Sequence, residues 1–384
     1  MKRLLQWTLV ASFIGWPNLA GAQQPDLIFI NSQPRYCTNG GAGSYSCADL
    51  PSGSSDYWYG VAVGDLNGDS RPDVVITNVA FANSLCLNDG NWSFACGDFG
   101  SGSKSSTNAA IEDMDNDGDL DVVFAKANTE NELCLNDGSA SFSCDVVSAD
   151  TNTTYGVAVG DLDGILGPDL VFANSHDRNR VCLNDGSASF SCSDVSTEEW
   201  YSQDIAVGDL DGANGPDLVF SNYDSLPPIT DPGMSVCLNN GAGSFACSDD
   251  TSIVATTGVA LADLDGTDGL DAVFSKKSWF SAACLNNGTG SFSCHDVGSA
   301  EVDKHNSNDV ALADINGDGH IDAVFANKRE ESDHACLNDG TGVFTCGAVG
   351  SEDTGSAAVA TISPWNFSDG FESGDATRWS STVP

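Results

Sequence analysis

One cysteine-bounded stretch recurs seven times along this chain of 384 residues. Such a chain folds as an array of similar units, because each copy is too small to bury its own apolar face. The copies read CTNGGAGSYSC from Cys37, CLNDGNWSFAC from Cys86, CLNDGSASFSC from Cys134 and again from Cys182, CLNNGAGSFAC from Cys237, CLNNGTGSFSC from Cys284 and CLNDGTGVFTC from Cys336. They end at Cys47, Cys96, Cys144, Cys192, Cys247, Cys294 and Cys346, and together hold all 14 cysteines. Their spacing of ten is the same in every copy, and no pair has the two-residue gap of a zinc knuckle. An even count in an exported chain points to disulfides. The constant spacing favours a bridge within each copy, while bridges between neighbouring copies satisfy the same count.

Export is read from the N-terminus. Lys2 and Arg3 precede an apolar run from Leu4 to about Trp16, followed by Ala20-Gly21-Ala22, which is the pattern of a secretory leader over residues 1–22. The run contains Pro17 and falls short of the ~20 residues a membrane span requires. A secreted or cell-surface protein without a transmembrane segment is expected. With 55 acidic against 14 basic residues the formal charge is −41, which repels nucleic acid and anionic membranes.

Each full unit adds a second element. From Gly60 the chain reads GVAVGDLNGDSRPDVVITN, then LCLNDGNWSFAC, giving four β-like runs separated by Asn, Asp and Gly turns. The acidic loops begin at Asp65, Asp113, Asp161, Asp209, Asp263 and Asp314, at periods of 48, 48, 48, 54 and 51. Four short strands per 40 to 50 residues is one propeller blade. The chain ends complete the pattern. PDLIFIN from Pro25 matches PDVVITN from Pro72 but lacks a preceding strand, and AAVATIS from Ala357 supplies one, with Thr361 where an aspartate is expected. The prediction is an all-β, seven-bladed β-propeller of four-stranded blades over residues 23–365, closed by pairing the N- and C-terminal segments in one blade, with a polar tail over 366–384. Strand order places the acidic loops and CLNDG turns on one face and the variable connections on the other.

Three acidic loops carry oxygen ligands at positions 1, 3, 5 and 9: Asp65, Asn67, Asp69 and Asp73; Asp113, Asp115, Asp117 and Asp121; Asp314, Asn316, Asp318 and Asp322. Three keep positions 1, 3 and 9 only: Asp161, Asp163 and Asp169; Asp209, Asp211 and Asp217; Asp263, Asp265 and Asp271, with Ile165, Ala213 and Thr267 at position 5. Hard oxygens alternating through a tight loop suit calcium, so up to six structural calcium ions are expected, one per loop. An EF-hand would need a glutamate at position 12 and flanking helices. As bare polar turns the same carboxylates would repel one another.

The pattern VAVGDLNGDSRPD followed by LCLNDG resembles the FG-GAP or VCBS repeat of integrin α-subunit propellers and of many secreted bacterial proteins. The resemblance runs over about residues 25–363. It implies structural calcium at the aspartates and asparagines just named, ligands bound elsewhere, and adhesion or binding more often than catalysis. The cysteine pair in every blade departs from it.

Catalytic signatures are missing. His176, His295, His305, His320 and His334 form no HExxH and no pair at metal-ligand spacing, and there is no GxSxG elbow or phosphate loop. Aromatics stand better placed, with Trp58 and Trp200 before first strands and Trp279 in a second-to-third connection, all on the variable face. These are the candidate ligand-binding residues, although packing between blades explains single rings equally well. Phenylalanines two positions before the second cysteine, such as Phe94, Phe142 and Phe190, are expected in the core. The insertion from Asn222 to Ser235 with three prolines is expected to shape the same face. The leading expectation is an extracellular module binding a glycan or a surface protein. A carbohydrate-active enzyme such as a polysaccharide lyase is the alternative, to be recognised by a funnel of clustered basic and acidic side chains, and a purely structural envelope module is the third.

Overall fold

The computed structural model of the protein describes residues 25–362 apart from 42–43, 54, 56, 91–92, 101–104, 166, 224–231, 278–279, 299–304, 329–330 and 350–355. The expected leader, the tail and most of the proline-rich insertion lie outside the described residues. No helix among the described residues is long and apolar enough to cross a membrane.

The described chain forms 28 strands in seven antiparallel four-stranded sheets. Blade one holds β4 (Trp58–Gly64), β5 (Asp73–Asn78), β6 (Asn83–Asn88) and β7 (Phe94–Phe99), and blades two to six repeat that order. Their first strands are β8 (Ser106–Glu112), β12 (Thr153–Gly160), β16 (Ser202–Gly208), β20 (Thr256–Ala262) and β24 (Ser307–Ala313). Blade seven is composite. The C-terminal β28 (Ala358–Ile362) pairs with the N-terminal β1 (Asp26–Ile30), from Asp26 opposite Ile362 to Ile30 opposite Ala358, and β2 (Arg35–Asn39) and β3 (Tyr45–Asp49) complete it. The two chain ends thus close the ring, as the half-units at either terminus predict.

The core is not central. Every second strand, such as DVVITN or DVVFAK, is buried along its whole length because it is covered on both faces by neighbouring blades. Apolar layers form between blades: Ile28 and Ile30 of blade seven pack with Val74 and Ile76 of blade one, and Leu27 and Phe29 pack with Ala311 and Val324 of blade six. Fourth strands lie at the rim with one face in solvent. At the first position of these strands Phe94 and Phe344 are buried, as expected, whereas Phe142, Phe190, Phe245 and Phe292 are half-buried against the interblade layers. Each cysteine pair joins the third and fourth strands of its own blade, directly opposite in register with Cα atoms 3.9 Å apart, so all seven bridges are local.

Candidate functional sites

The acidic loops fold around two fixed points. Position 2 is apolar and buried in each (Leu66, Met114, Leu162, Leu210, Leu264 and Ile315), which pins the loop to the interblade layer. Position 9 opens the second strand as a buried aspartate. In blade three, Asp169 accepts Leu162 N at Oδ2 and Asn184 N at Oδ1, both at 2.8 Å. The same double contact recurs at Asp73, Asp121, Asp217, Asp271 and Asp322. Burial pushes these carboxyls up, to about 6 for Asp73, Asp217 and Asp271 and about 7 for Asp121, Asp169 and Asp322, against the lowering effect of the two amides. Neighbouring loop aspartates raise them further.

In four loops the carboxylates of positions 1, 3 and 9 converge, with one oxygen from each within 4.8 Å of the others: Asp113, Asp115 and Asp121; Asp161, Asp163 and Asp169; Asp209, Asp211 and Asp217; Asp263, Asp265 and Asp271. Positions 3 and 5 both cap the turn, position 3 accepting the amide two residues on in each loop. Asp69, Asp117 and Asp318 each accept the amide two residues on, at Arg71, Asp119 and His320, at 2.9 to 3.0 Å. Of the loops with an acidic position 5, that at Asp113 holds this three-carboxylate cluster, while Asn67 and Asn316 take position 3 in the other two. Oxygen ligands this close, backed by one buried carboxylate, fit a hard divalent cation.

Beside each loop lies the CLN turn, whose asparagine is a structural residue that sequence reasoning passed over. Asn184 Nδ2 donates to Pro168 O of its own blade and to Met114 O of the preceding blade, at 3.0 and 2.8 Å. Asn39, Asn136, Asn239, Asn286 and Asn338 make the equivalent bond to the preceding blade, at 2.8 to 2.9 Å. These asparagines stitch one blade to the next under the acidic loops. Their presence in every repeat was the available signal. Blade seven retains Asp26 at position 9, bonded to Asn39 N, although no acidic loop precedes it. That aspartate shows the amide-holding role by itself.

The variable face is built differently. Between blades three and four it opens into a cavity of about 210 Å³ whose walls include Trp200, Glu198, Asp249, Ser235, Asn179 and Phe220. Trp200 is half-buried, and its indole Nε1 is enclosed without a hydrogen-bond partner among the described residues. Asp249 is exposed and accepts Ser235 Oγ at 2.6 Å, and Ser235 Oγ in turn accepts Asn222 Nδ2 at 3.0 Å. Elsewhere on this face, Tyr57 and Phe81 are both more than half exposed and meet edge to face at 5.8 Å, and Tyr59 approaches Tyr155 at 6.2 Å. Of the three tryptophans singled out, Trp200 lies in the cavity wall. The Trp58 side chain and all of Trp279 fall outside the described residues.

At the hub the first strands carry a bulge that places one residue per blade against its neighbour. Around blades one to six these residues alternate: Gly60, Asn108, Gly156, Asp204, Gly258, Asp309. The glycines are required by close approach, since a Cβ on Gly156 would lie 2.9 Å from Asp204 Cα. Asp204 Oδ2 accepts Val259 N at 3.0 Å and Asp309 Oδ2 accepts Val359 N on β28 at 3.1 Å. Burial raises both carboxyls above the usual range, and the charge of Asp309 raises Asp204 further.

Comparison with known proteins supports the architecture. The FG-GAP-like repeat family matches residues 113–164 and the FG-GAP repeat family matches residues 57–84, so the chain carries FG-GAP repeats in blades one and two. No curated protein sequence matches it. Among solved structures it resembles a lectin of Agrocybe aegerita, described as recognising non-reducing terminal N-acetylglucosamine, at 19% identity and a TM-score of 0.61 over 92% of this chain and 94% of that one. It also resembles the BP39L lectin of Burkholderia pseudomallei at 13% identity and a TM-score of 0.58, over 89% and 99%. The structure of BBS1N in complex with ARL6DN matches at 12% identity and a TM-score of 0.52, over 81% and 93%. At these identities the likeness is one of fold.

Proposed function

We propose that the protein is an exported glycan-binding propeller, with leader 1–22, ring 23–365 and tail 366–384, braced by calcium on one face and recognising its ligand on the other. The observation that carries this reading is the cavity at Trp200. An indole beside Glu198, Asp249 and Ser235 combines an apolar platform with carboxylate and hydroxyl acceptors, the pairing that a sugar ring with one apolar face and several hydroxyls calls for. At about 210 Å³ the cavity is smaller than the roughly 300–1,000 Å³ of sites that engulf drug-sized ligands, which suits a terminal sugar unit. The two lectins of similar fold agree with that use of the scaffold. Among the described residues its lining has no Lys, Arg or His, so the mixed acidic and basic funnel expected of a lyase is not what this cleft offers.

Calcium would sit in the loops of the opposite face, held by positions 1, 3, 5 and 9 in three of them (Asp65, Asn67, Asp69 and Asp73; Asp113, Asp115, Asp117 and Asp121; Asp314, Asn316, Asp318 and Asp322) and by positions 1, 3 and 9 in the loops that begin at Asp161, Asp209 and Asp263. There it would neutralise the clustered carboxylates and stiffen the hairpins that the asparagine stitches join. Seven local disulfides accord with an extracellular setting.

The test is a glycan array probed with the mature chain and with Trp200→Ala, both in calcium. Saturable binding to one family of terminal sugars, lost in the variant, is the expected result. Binding that survives Trp200→Ala moves recognition off this cleft, and no binding by either chain overturns the glycan reading.

A further inference from the structure

At or beside its end, the second strand of each of blades one to six carries the residue paired with the first strand just before the bulge. That place holds Asn78, Asn174, Asn222 and Asn327 in blades one, three, four and six, but Lys126 in blade two and Lys276 in blade five. Asn174, Asn222 and Asn327 each accept a first-strand hydroxyl at Oδ1, at 2.7 to 2.8 Å. A lysine has no acceptor to offer and brings a charge instead.

Blade two answers that charge within itself. Lys126 and Glu132 are both buried, and Nζ lies 3.4 Å from Oε2. Glu132 opens β10 (Glu132–Asn136) opposite Phe124. The same place in blade five, at the start of β22 (Ala282–Asn286) and opposite Phe274, is Ala282. The carboxylate has become a methyl group while the lysine remains.

Lys276 is only 8% exposed, and among the described residues it has neither a carboxylate within 4 Å nor a hydrogen bond at Nζ. Arg35, Arg71, Lys126, Arg178 and Arg180 all have such a carboxylate. Burial pulls the Lys276 ammonium below its ordinary pKa, and the exposed Asp296, paired in register with Ala282, offsets this only from a distance. On its strand Lys276 shares a face with Ala272 and Phe274, which pack against blade four. It therefore faces the cleft between blades four and five, one step round the ring from Trp200. Its Nζ is not among the unpartnered polar atoms sealed from solvent, so a ligand can reach it.

We propose that Lys276 receives the carboxylate of an acidic sugar, a uronate, in this cleft. The ligand carboxylate takes the place that Glu132 holds in blade two, making the same charge-assisted contact. One ammonium balances one negative charge, which fits a carboxylate better than a phosphate dianion. In a chain of formal charge −41, anions are repelled at large, so a cation without an internal partner is the feature that recruits one. The sugar rests on the glycan reading above, whereas the anion does not.

The test titrates the mature chain with D-glucuronate, D-glucose and acetate in saturating calcium, by calorimetry and by NMR of the lysine side-chain signals. Glucuronate should bind saturably and raise the pH at which Lys276 titrates, acetate should bind more weakly, and glucose should leave the Lys276 signal unmoved. Lys276→Asn, which copies blades four and six, should weaken glucuronate about 10–100-fold. Ala282→Glu, which copies blade two, should block it equally, and it keeps the test decisive if Lys276→Asn folds poorly. Trp200→Ala should leave this affinity within about twofold. No glucuronate binding by the unmodified chain, or unchanged affinity in the two blade-five variants, would overturn the proposal. Acetate binding as tightly as glucuronate would overturn the sugar, a result distinct from the loss of array binding at Trp200.

Discussion

At the scale of single residues, position 9 and the CLN asparagine hold the ring face together through backbone amides and carbonyls. Asn184→Ala removes donors to Met114 O and Pro168 O and the acceptor for Gly186 N. Leaving buried carbonyls unpaired costs about 1–3 kcal/mol each, so a clear fall in stability is expected in urea unfolding, against a change within ~0.5 kcal/mol for the exposed Ser187→Ala. The asparagine is legible in the sequence as a repeated letter, but its role is not, because Met114 lies 70 positions away and only ring closure brings it near. The hub pair gives a pH dependence. Folding raises the carboxyls of Asp204 and Asp309, chiefly by burial, so their contribution is complete below the ordinary aspartate range and is lost as pH rises through the raised values. In saturating calcium, Tm should fall as pH is raised from the aspartate range toward mild alkalinity. Asp204→Asn, which copies the Asn108 of blade two, should flatten that slope in thermal scans across pH, and an unchanged slope would remove the hub from the explanation.

At the scale of strands and loops, most of the architecture can be read from alternation and turn residues. The composite blade was legible too, because each terminus carries the half-unit that the other lacks. Two features were not. Phe142, Phe190, Phe245 and Phe292 are half-buried while Phe94 and Phe344 at the same place in their blades are buried, a difference that a repeated aromatic letter does not reveal. The contact of His305, just before β24, with His334, the first residue of β26 (His334–Asn338), was not legible because 29 positions separate the two rings in sequence. Closure of the ring is tested at this scale. Truncation after Ser356 removes β28, exposes the edge of β1 and takes away the Asp309 contact to Val359, so cooperative thermal unfolding should be lost. A truncated chain with the full-length Tm would show that the ring does not depend on its terminal strand. Removing one bridge by Cys182→Ser with Cys192→Ser should be milder, about 2–3 kcal/mol, because it closes only a ten-position separation within one hairpin.

At the scale of the whole molecule, a formal charge of −41 and clustered loop carboxylates lead to the prediction that bound cations stabilise the ring. A site filled at 100 times its Kd stabilises by about 2.7 kcal/mol, so EDTA should lower Tm well beyond the effect of an equal rise in ionic strength. A Tm independent of calcium would withdraw the metal role of the loops. The division of labour between the faces is the central claim: loops brace, the Trp200 cleft binds. The direct measurement is the Kd of the glycan identified on the array, in saturating calcium, for the unmodified chain, Trp200→Ala and the loop variant Asp163→Asn. Trp200→Ala should abolish saturable binding with Tm little changed, while Asp163→Asn should lower the Tm and leave the Kd within about twofold, since ~0.4 kcal/mol separates such values. Loss of glycan affinity in Asp163→Asn with Trp200→Ala still binding would contradict it and place recognition on the acidic face.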